Sequence, residues 1–297
     1  LWFTNIVCTD STQSQLTDNL QKKGLKVIIG HGIYQPKIDD AIIYSEAAVN
    51  SPEVTWARTL ITKEQKMILI MNYFQFLGEI SKYFTTIGIT GTNGKSSTTA
   101  LTIYGAKDLE NFGLWILWAL VPDFNNQSYL INSNHKDEIK NIFTKIFTGK
   151  TPTPIDHKKF LFIVEACEYK RHFLHLDLDY AAITNIEYDH ADYYKTFDDY
   201  KNAFKEMLTK LEKRGAEIIE IEIPELDEMR IAHAATILSE MAICMRAYKN
   251  HRKEMAESVR LSLVLGDEMA AADYLQAQRI AFDDAPVLHD DEVVCHG

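Results

Sequence analysis

Over residues 1–80 short apolar runs alternate with amphipathic stretches. "TNIVCTD" reads as a strand. "STQSQLTDNLQKKG" reads as a helix with Ser11 or Thr12 as N-cap and Gly24 just past its end. "LKVIIGHG" and "DDAIIYS" read as two more strands, and residues 62–83 carry a longer helical pattern. A second series opens at "YFTTIGITGTNGKSSTTALTIYGAKDL" and continues through "KKFLFIVEACE" and "DYAAITNIEYDH". In each of these an apolar run gives way to polar residues. The stretch 121–159 between the first two is polar and punctuated by proline, and "DDYKNAFKEMLTKLEKRG" after the third is helical. Strands alternating with helices predict a parallel α/β sheet. Beyond residue 216, "AEIIEIEIP" suggests one strand, residues 227–282 read as helices, and the acidic end over 283–297 reads as frayed or disordered.

Composition narrows the partners. The 297 residues carry a net charge of −11, so nucleic acid is not an expected partner for the surface at large. Cys8, Cys167, Cys244 and Cys295 are scattered with no CxxC pair. Neither a zinc site nor a disulfide framework is indicated, and a reducing cytoplasm is the expected location. The most apolar window, 112–122, is far shorter than the roughly 20 residues a membrane-spanning helix needs, so no membrane insertion is expected. Within it Trp115 and Trp118 stand three apart, which shares one face if the segment is helical, and both are read as core. The chain opens on Leu and a strand, without the marks of a signal peptide, which suggests that its beginning is missing.

The chemistry gathers at three predicted strand ends. "TTIGIT" is a buried strand, "GTNG" a tight turn, and "KSSTTALTIY" the start of a helix. The usual phosphate loop has Gly, four residues, then Gly-Lys-Ser/Thr. Here Ile89 stands where the first Gly belongs. The physical elements are nevertheless present: Gly91 and Gly94 permit close backbone approach, and the helix N-terminus favours a phosphate. Gly91, Thr92, Asn93, Gly94, Lys95, Ser96 and Ser97 are the candidate nucleotide-binding residues, with Lys95 on the outer phosphates and Ser96 on Mg²⁺. Glu165 ends the second apolar run. Asn185, Glu187, Asp189, His190 and Asp192 follow the third. In open parallel sheets ligands bind beyond the carboxyl ends of the strands, so Ser96, Glu165 and His190 are the candidate metal ligands and Lys95, Glu165 and His190 the candidate catalytic residues. His172, His175 and the Tyr193–Tyr194 pair are read as packing residues.

At these residues the sequence resembles the Mur ligase family, ATP-dependent amide-forming ligases of peptidoglycan synthesis. "TGTNGKSST" matches that family's loop, in which the early Gly is absent. "VEACEYKRHFLHL" and "TNIEYDHADYY" are similar to the branch that joins L-alanine to UDP-N-acetylmuramate, and the resemblance covers roughly residues 7–210. It implies a Rossmann-like partial UDP-sugar-binding domain over 1–80, a central P-loop parallel-sheet ATPase domain over 81–245, and a mostly helical segment with an acidic tail over 246–297. It implies ATP and Mg²⁺ as cofactors, and UDP-N-acetylmuramate and L-alanine as substrates joined through an acyl phosphate. Asp10, His31, Ser45, Lys170 and Arg171 are the candidate substrate contacts. The Gly-rich unit that opens the family's sugar domain is not recognisable, nor is its GxHNxxN-type segment, whose nearest counterpart is "ELDEMRIAHAA". The alternatives are a nucleotide-binding Mur-like protein that is catalytically incomplete, or a muropeptide-recycling ligase of the same family.

Overall fold

The computed structural model describes residues 5–38, 40–64, 69–148, 158–218 and 226–282. It divides into two compact units, residues 1–216 and 217–297.

The first unit opens with β1 (Val7–Asp10), α1 (Gln15–Lys22) and β2 (Lys26–Ile29), the two strands pairing in parallel. The N-cap of α1 is Ser14, not the expected Ser11 or Thr12. Its side chain accepts from Thr17 N while the Thr17 hydroxyl accepts from Ser14 N. A cap is set by this reciprocal bonding, which the serine and threonine further upstream do not make. Gly24 follows the helix at φ 84°, as expected. Next come β3 (Ala41–Tyr44), α2 (Pro52–Glu64), β4 (Leu69–Asn72) and α3 (Tyr73–Ser81), with β3 and β4 parallel. The single helix expected over 62–83 is thus divided by a strand. Asn72 ends β4 and caps α3 through a reciprocal bond with Gln75. That cap fixes the helix start at Tyr73, and the apolar residues before it pair with β3.

A five-stranded sheet follows. Its strands are β5 (Thr85–Thr90), β6 (Phe112–Val121), β7 (Gln127–Ile131), β8 (Leu161–Glu165) and β9 (Tyr180–Ile183), in the order β7-β6-β8-β5-β9. All neighbours are parallel except β6 and β7, which form an antiparallel edge. β6 is the apolar window, and it is a strand. Trp115 and Trp118 therefore point to opposite faces: Trp115 is 2% exposed and Trp118 44%. The shared helix face expected for them is absent, and only Trp115 belongs to the core.

Alternate residues of the strands serve two cores. Phe162 and Val164 pack with Leu77 and Ile80 of α3, with Ile139, Ile142 and Ile146 of α5 (Lys136–Phe147), and with Tyr200, Phe204 and Met207 of α6 (Phe197–Glu212). Ile89, Trp115 and Ile163 pack against Ile103 of α4 (Lys95–Ala106) on the other face. The stretch expected to be merely polar thus holds an edge strand and a helix. The burial of Ile139, Ile142 and Ile146, at helical spacing, is what places α5.

The second unit contains α7 (Leu226–Cys244), α8 (Glu257–Asp267) and α9 (Ala271–Phe282), joined by a 3-10 segment at Met245–Glu254. Among its described residues Ala232, Ser239, Ala242, Leu263 and Ala277 are buried. Most of the strand expected over 216–224, and the acidic end, lie outside the described residues. No described helix is long and apolar enough to cross a membrane, and Cys8, Cys167 and Cys244 are free thiols.

Candidate functional site

The three strand ends singled out in the sequence are neighbours, because β5 lies between β8 and β9. Ile89 pairs with Glu165, and Thr90 with Ile183. The loop after β5, the carboxylate ending β8 and the polar run after β9 therefore open on one edge of the sheet.

Gly91 has φ 130° and Gly94 φ 78°, and Gly94 is the N-cap of α4. A Cβ on Gly91 would lie 2.2 Å from Thr184 Oγ1 and 2.9 Å from Asn185 O. The loop thus lies directly on the segment that follows β9. Thr92 N donates to Asn185 O at 3.0 Å and Asn93 N to Asn185 Oδ1 at 3.0 Å. Asn185 Nδ2 donates to Asn93 O at 2.9 Å, and Thr92 Oγ1 to Glu187 O at 2.8 Å. These bonds occupy the amides of Thr92 and Asn93. The donors that face outward are the first-turn amides of α4, which a helix leaves without intrahelical partners.

Lys95 folds back over its own loop. Its Nζ donates to Gly91 O at 2.6 Å, Thr92 O at 3.0 Å and Glu168 Oε1 at 2.9 Å. Ser96 Oγ donates to Glu165 Oε1 at 2.8 Å. Glu165 is only 4% exposed, and its position is fixed from β6: Trp118 N donates to Glu165 Oε2 and the Trp118 indole to Glu165 O, each at 2.9 Å. His190, at φ 54°, turns its Nε2 to within 3.3 Å of Glu168 Oε1. The predicted trio is therefore held as two neighbouring sets. Ser96 joins Glu165, while His190 meets Lys95 through Glu168.

Glu168 was not singled out from the sequence, yet it is fully buried. The pattern "EACE" places it three residues after Glu165, but nothing local signals that the chain leaves β8 and folds this carboxylate beneath the loop. Cys167 between them is pushed up to about 11 by burial, with the nearby Glu168 carboxylate adding to the shift, so it stays a thiol at neutral pH.

Of the candidate substrate residues, Asp10, His31, Lys170 and Arg171 are engaged by other side chains or by the main chain, whereas the Ser45 hydroxyl makes no capping bond. Asp10 Oδ1 accepts from Thr12 N at 3.2 Å. His31 Nδ1 lies 3.3 Å from Glu53 Oε2, and Glu53 Oε1 accepts from Gly32 N at 2.7 Å. Ser45 is the N-cap of the 3-10 turn Glu46–Ala48. Lys170 and Arg171 have left-handed φ values of 50° and 61°. Lys170 Nζ lies 3.4 Å from Glu46 Oε2, whereas Arg171 is tied to Asp199 and Glu206 of α6 at 2.7 Å each. Of the residues read as packing, His172 is buried against Phe74, with the two rings stacked 3.8 Å apart, while His175 is exposed. Tyr194 is buried and Tyr193 partly exposed.

The site suits a magnesium nucleotide. It offers a helix N-terminus, a lysine, and two hard oxygen donors, Ser96 and Glu165, in contact. Among the described residues no three or more His, Cys, Asp or Glu side chains gather as a metal cage. Mg²⁺ needs none, because it takes one or two protein oxygens and fills its shell with phosphate and water.

Comparison with known proteins identifies relatives of this chain. The family model described as the Mur ligase middle domain matches residues 89–264. The UDP-N-acetylmuramate--L-alanine ligase of Clostridium botulinum strain Hall is 34% identical over 209 residues, 70% of this chain and 39% of that protein. The ligase of the same name from strain Okra gives the same figures. The chain thus spans about two fifths of the length of the curated relatives it matches. A solved UDP-N-acetylmuramate:L-alanyl-gamma-D-glutamyl-meso-diaminopimelate ligase from Neisseria meningitides superposes with a TM-score of 0.45 at 16% identity, over 67% of this chain and 58% of that one. That likeness is too slight to carry an argument.

Proposed function

The chain belongs to the Mur ligase family, ATP-dependent ligases that form amide bonds, and from that premise we propose that it takes part in joining L-alanine to UDP-N-acetylmuramate through an acyl phosphate, in the cytoplasm. The observation that carries this reading is the direct contact of the phosphate loop with the acidic strand end, Ser96 on Glu165. That contact sets a hard carboxylate oxygen beside the place where the loop would hold the phosphates.

Each residue has a role in that reaction. The first-turn amides of α4 and Lys95 hold the outer phosphates, and Lys95 offsets negative charge on the transferring group. Thr92, Asn93, Thr184 and Asn185 keep the loop rigid, so that little reorganisation accompanies the chemistry. Ser96 would hold one Mg²⁺, and Glu165 with His190 a second; when bound, such an ion supplies Lewis acidity and a template. Lys170 is the better candidate of its basic pair for the substrate's carboxylate or phosphates, since Arg171 is committed to α6. Residues 1–80 serve the nucleotide sugar and 81–245 the ATP.

The test is phosphate release with Mg²⁺, ATP and UDP-N-acetylmuramate, with and without L-alanine. Release should require all of them and fall at least about 100-fold in Lys95→Ala, a change of roughly 3 kcal/mol. Release that ignores the nucleotide sugar or the amine would overturn the reading.

A further inference from the structure

Glu168 places one carboxylate oxygen between two groups of the site. Oε1 lies 2.9 Å from Lys95 Nζ and 3.3 Å from His190 Nε2. The other oxygen, Oε2, is buried and has no hydrogen-bond partner among the described residues. An unsatisfied buried carboxylate oxygen is costly, and such groups persist mainly where they serve a function. The backbone holds the residue in place as well, since Glu168 O accepts from the buried Tyr194 hydroxyl.

The contact with His190 has a chemical consequence. A neutral imidazole carries its proton on one nitrogen and a lone pair on the other. A lone pair on Nε2 would face a carboxylate oxygen 3.3 Å away and be repelled, whereas a proton there is attracted to it. This contact favours the proton on Nε2, which leaves Nδ1 as the electron-pair donor. The ring is steadied from other sides too. Tyr169 packs on it with 4.8 Å between centroids, while the main chain beneath it is held by His190 N donating to Asp189 Oδ1 at 2.7 Å. The positive φ of His190 is uncommon outside glycine, and strained backbone of this kind gathers at working sites.

We propose that Glu168 is a positioning residue: it fixes His190 as the Nε2-protonated tautomer, so that Nδ1 is the atom presented to a divalent cation, and anchors Lys95 with the same oxygen. The proposal rests on the assignment of His190 as a cation ligand. A carboxylate behind a ligating histidine is a recurrent device, and its loss typically weakens metal binding 10–100-fold.

Two measurements test it. The first uses the unmodified chain without nucleotide. Long-range ¹H–¹⁵N correlation of ¹⁵N-histidine-labelled protein at pH 8 is expected to show His190, assigned by its loss in His190→Asn, protonated at Nε2. A ring protonated at Nδ1 overturns the proposal, whether or not the chain proves to be a ligase. The second titrates Mn²⁺ into chain saturated with a non-hydrolysable ATP analogue. Glu168→Leu should bind Mn²⁺ about 10–100-fold more weakly, while Glu168→Gln, which keeps an acceptor oxygen, should recover most of that loss and keep the tautomer. Unchanged Mn²⁺ affinity in Glu168→Leu overturns the proposal. Should that variant fail to fold, the tautomer of the unmodified chain decides. An Nε2-protonated ring in a chain that ligates nothing would leave the positioning contact standing and remove the ligase reading alone.

Discussion

His172 shows how one side chain sets a pH limit on the fold. Both of its ring nitrogens are buried without hydrogen-bond partners among the described residues. Burial lowers its pKa from 6.5 to about 4, against the smaller opposing pull of Glu46. Between those values the unfolded chain binds a proton that the folded chain refuses, so stability falls as pH drops through that window and is unaffected by this group above it. The loss is on the order of 3 kcal/mol across the window. Urea midpoints at pH 7 and pH 5 should show it, and His172→Phe, which keeps the stack on Phe74, should reduce the difference between them. At the loop, Gly91→Ala would drive a methyl group into Thr184 from a backbone angle that alanine avoids. Nucleotide affinity should drop at least about tenfold, read by a fluorescent ATP analogue. Lys95, Ser96, Glu165 and His190 were legible in the sequence because each follows an apolar run at a predictable strand end. Glu168 was not, since its place depends on how the chain turns after β8, and no spacing rule encodes that.

Among the elements, β5, β8 and β9 were readable from their β-branched and aromatic runs, and α6 from its amphipathic period. The failures came where a tertiary partner overrode a local pattern. Leu69–Asn72 has helical residues on either side, and pairing with β3 makes it a strand. Phe112–Val121 is apolar enough for either form, and only its register against β8 settles the matter. The functional result is that β6 brings Trp118 to Glu165, which a helix could not do with both the indole and the main-chain N–H. Trp118→Phe keeps a ring beside Tyr73 and Phe74 but removes the indole donor. A stability loss of about 1 kcal/mol is expected by urea denaturation. Mg²⁺-dependent nucleotide binding should also weaken, since the main chain of Glu165 then loses the donor that fixes it, although its carboxylate keeps Trp118 N and Ser96 Oγ.

For the molecule as a whole, the alternation of strands and helices announced an α/β protein, but the order β7-β6-β8-β5-β9 was beyond the sequence. Strand order is decided by which faces the crossover helices bury, and a single sequence shows the helices without their destinations. The two compact units carry a prediction. A chain ended after Ala216 retains both faces of the five-stranded sheet and every residue assigned to the site. It should unfold in one cooperative transition, measured by circular dichroism on heating. Gradual, non-cooperative melting would mean that residues 217–297 are needed for the first unit to hold its packing.

The bond between the Trp118 indole and Glu165 gives the protein an optical signal of its own. Trp115 is sealed in the core, whereas Trp118 is partly open to solvent: its indole donates to the main-chain O of Glu165 and its main-chain N to the carboxylate that faces Ser96. Anything that draws on Glu165 alters the electric field at that indole. The emission wavelength of the unlabelled chain should therefore shift as the site fills, and Trp118→Phe should abolish the shift, so that occupancy can be followed without a dye.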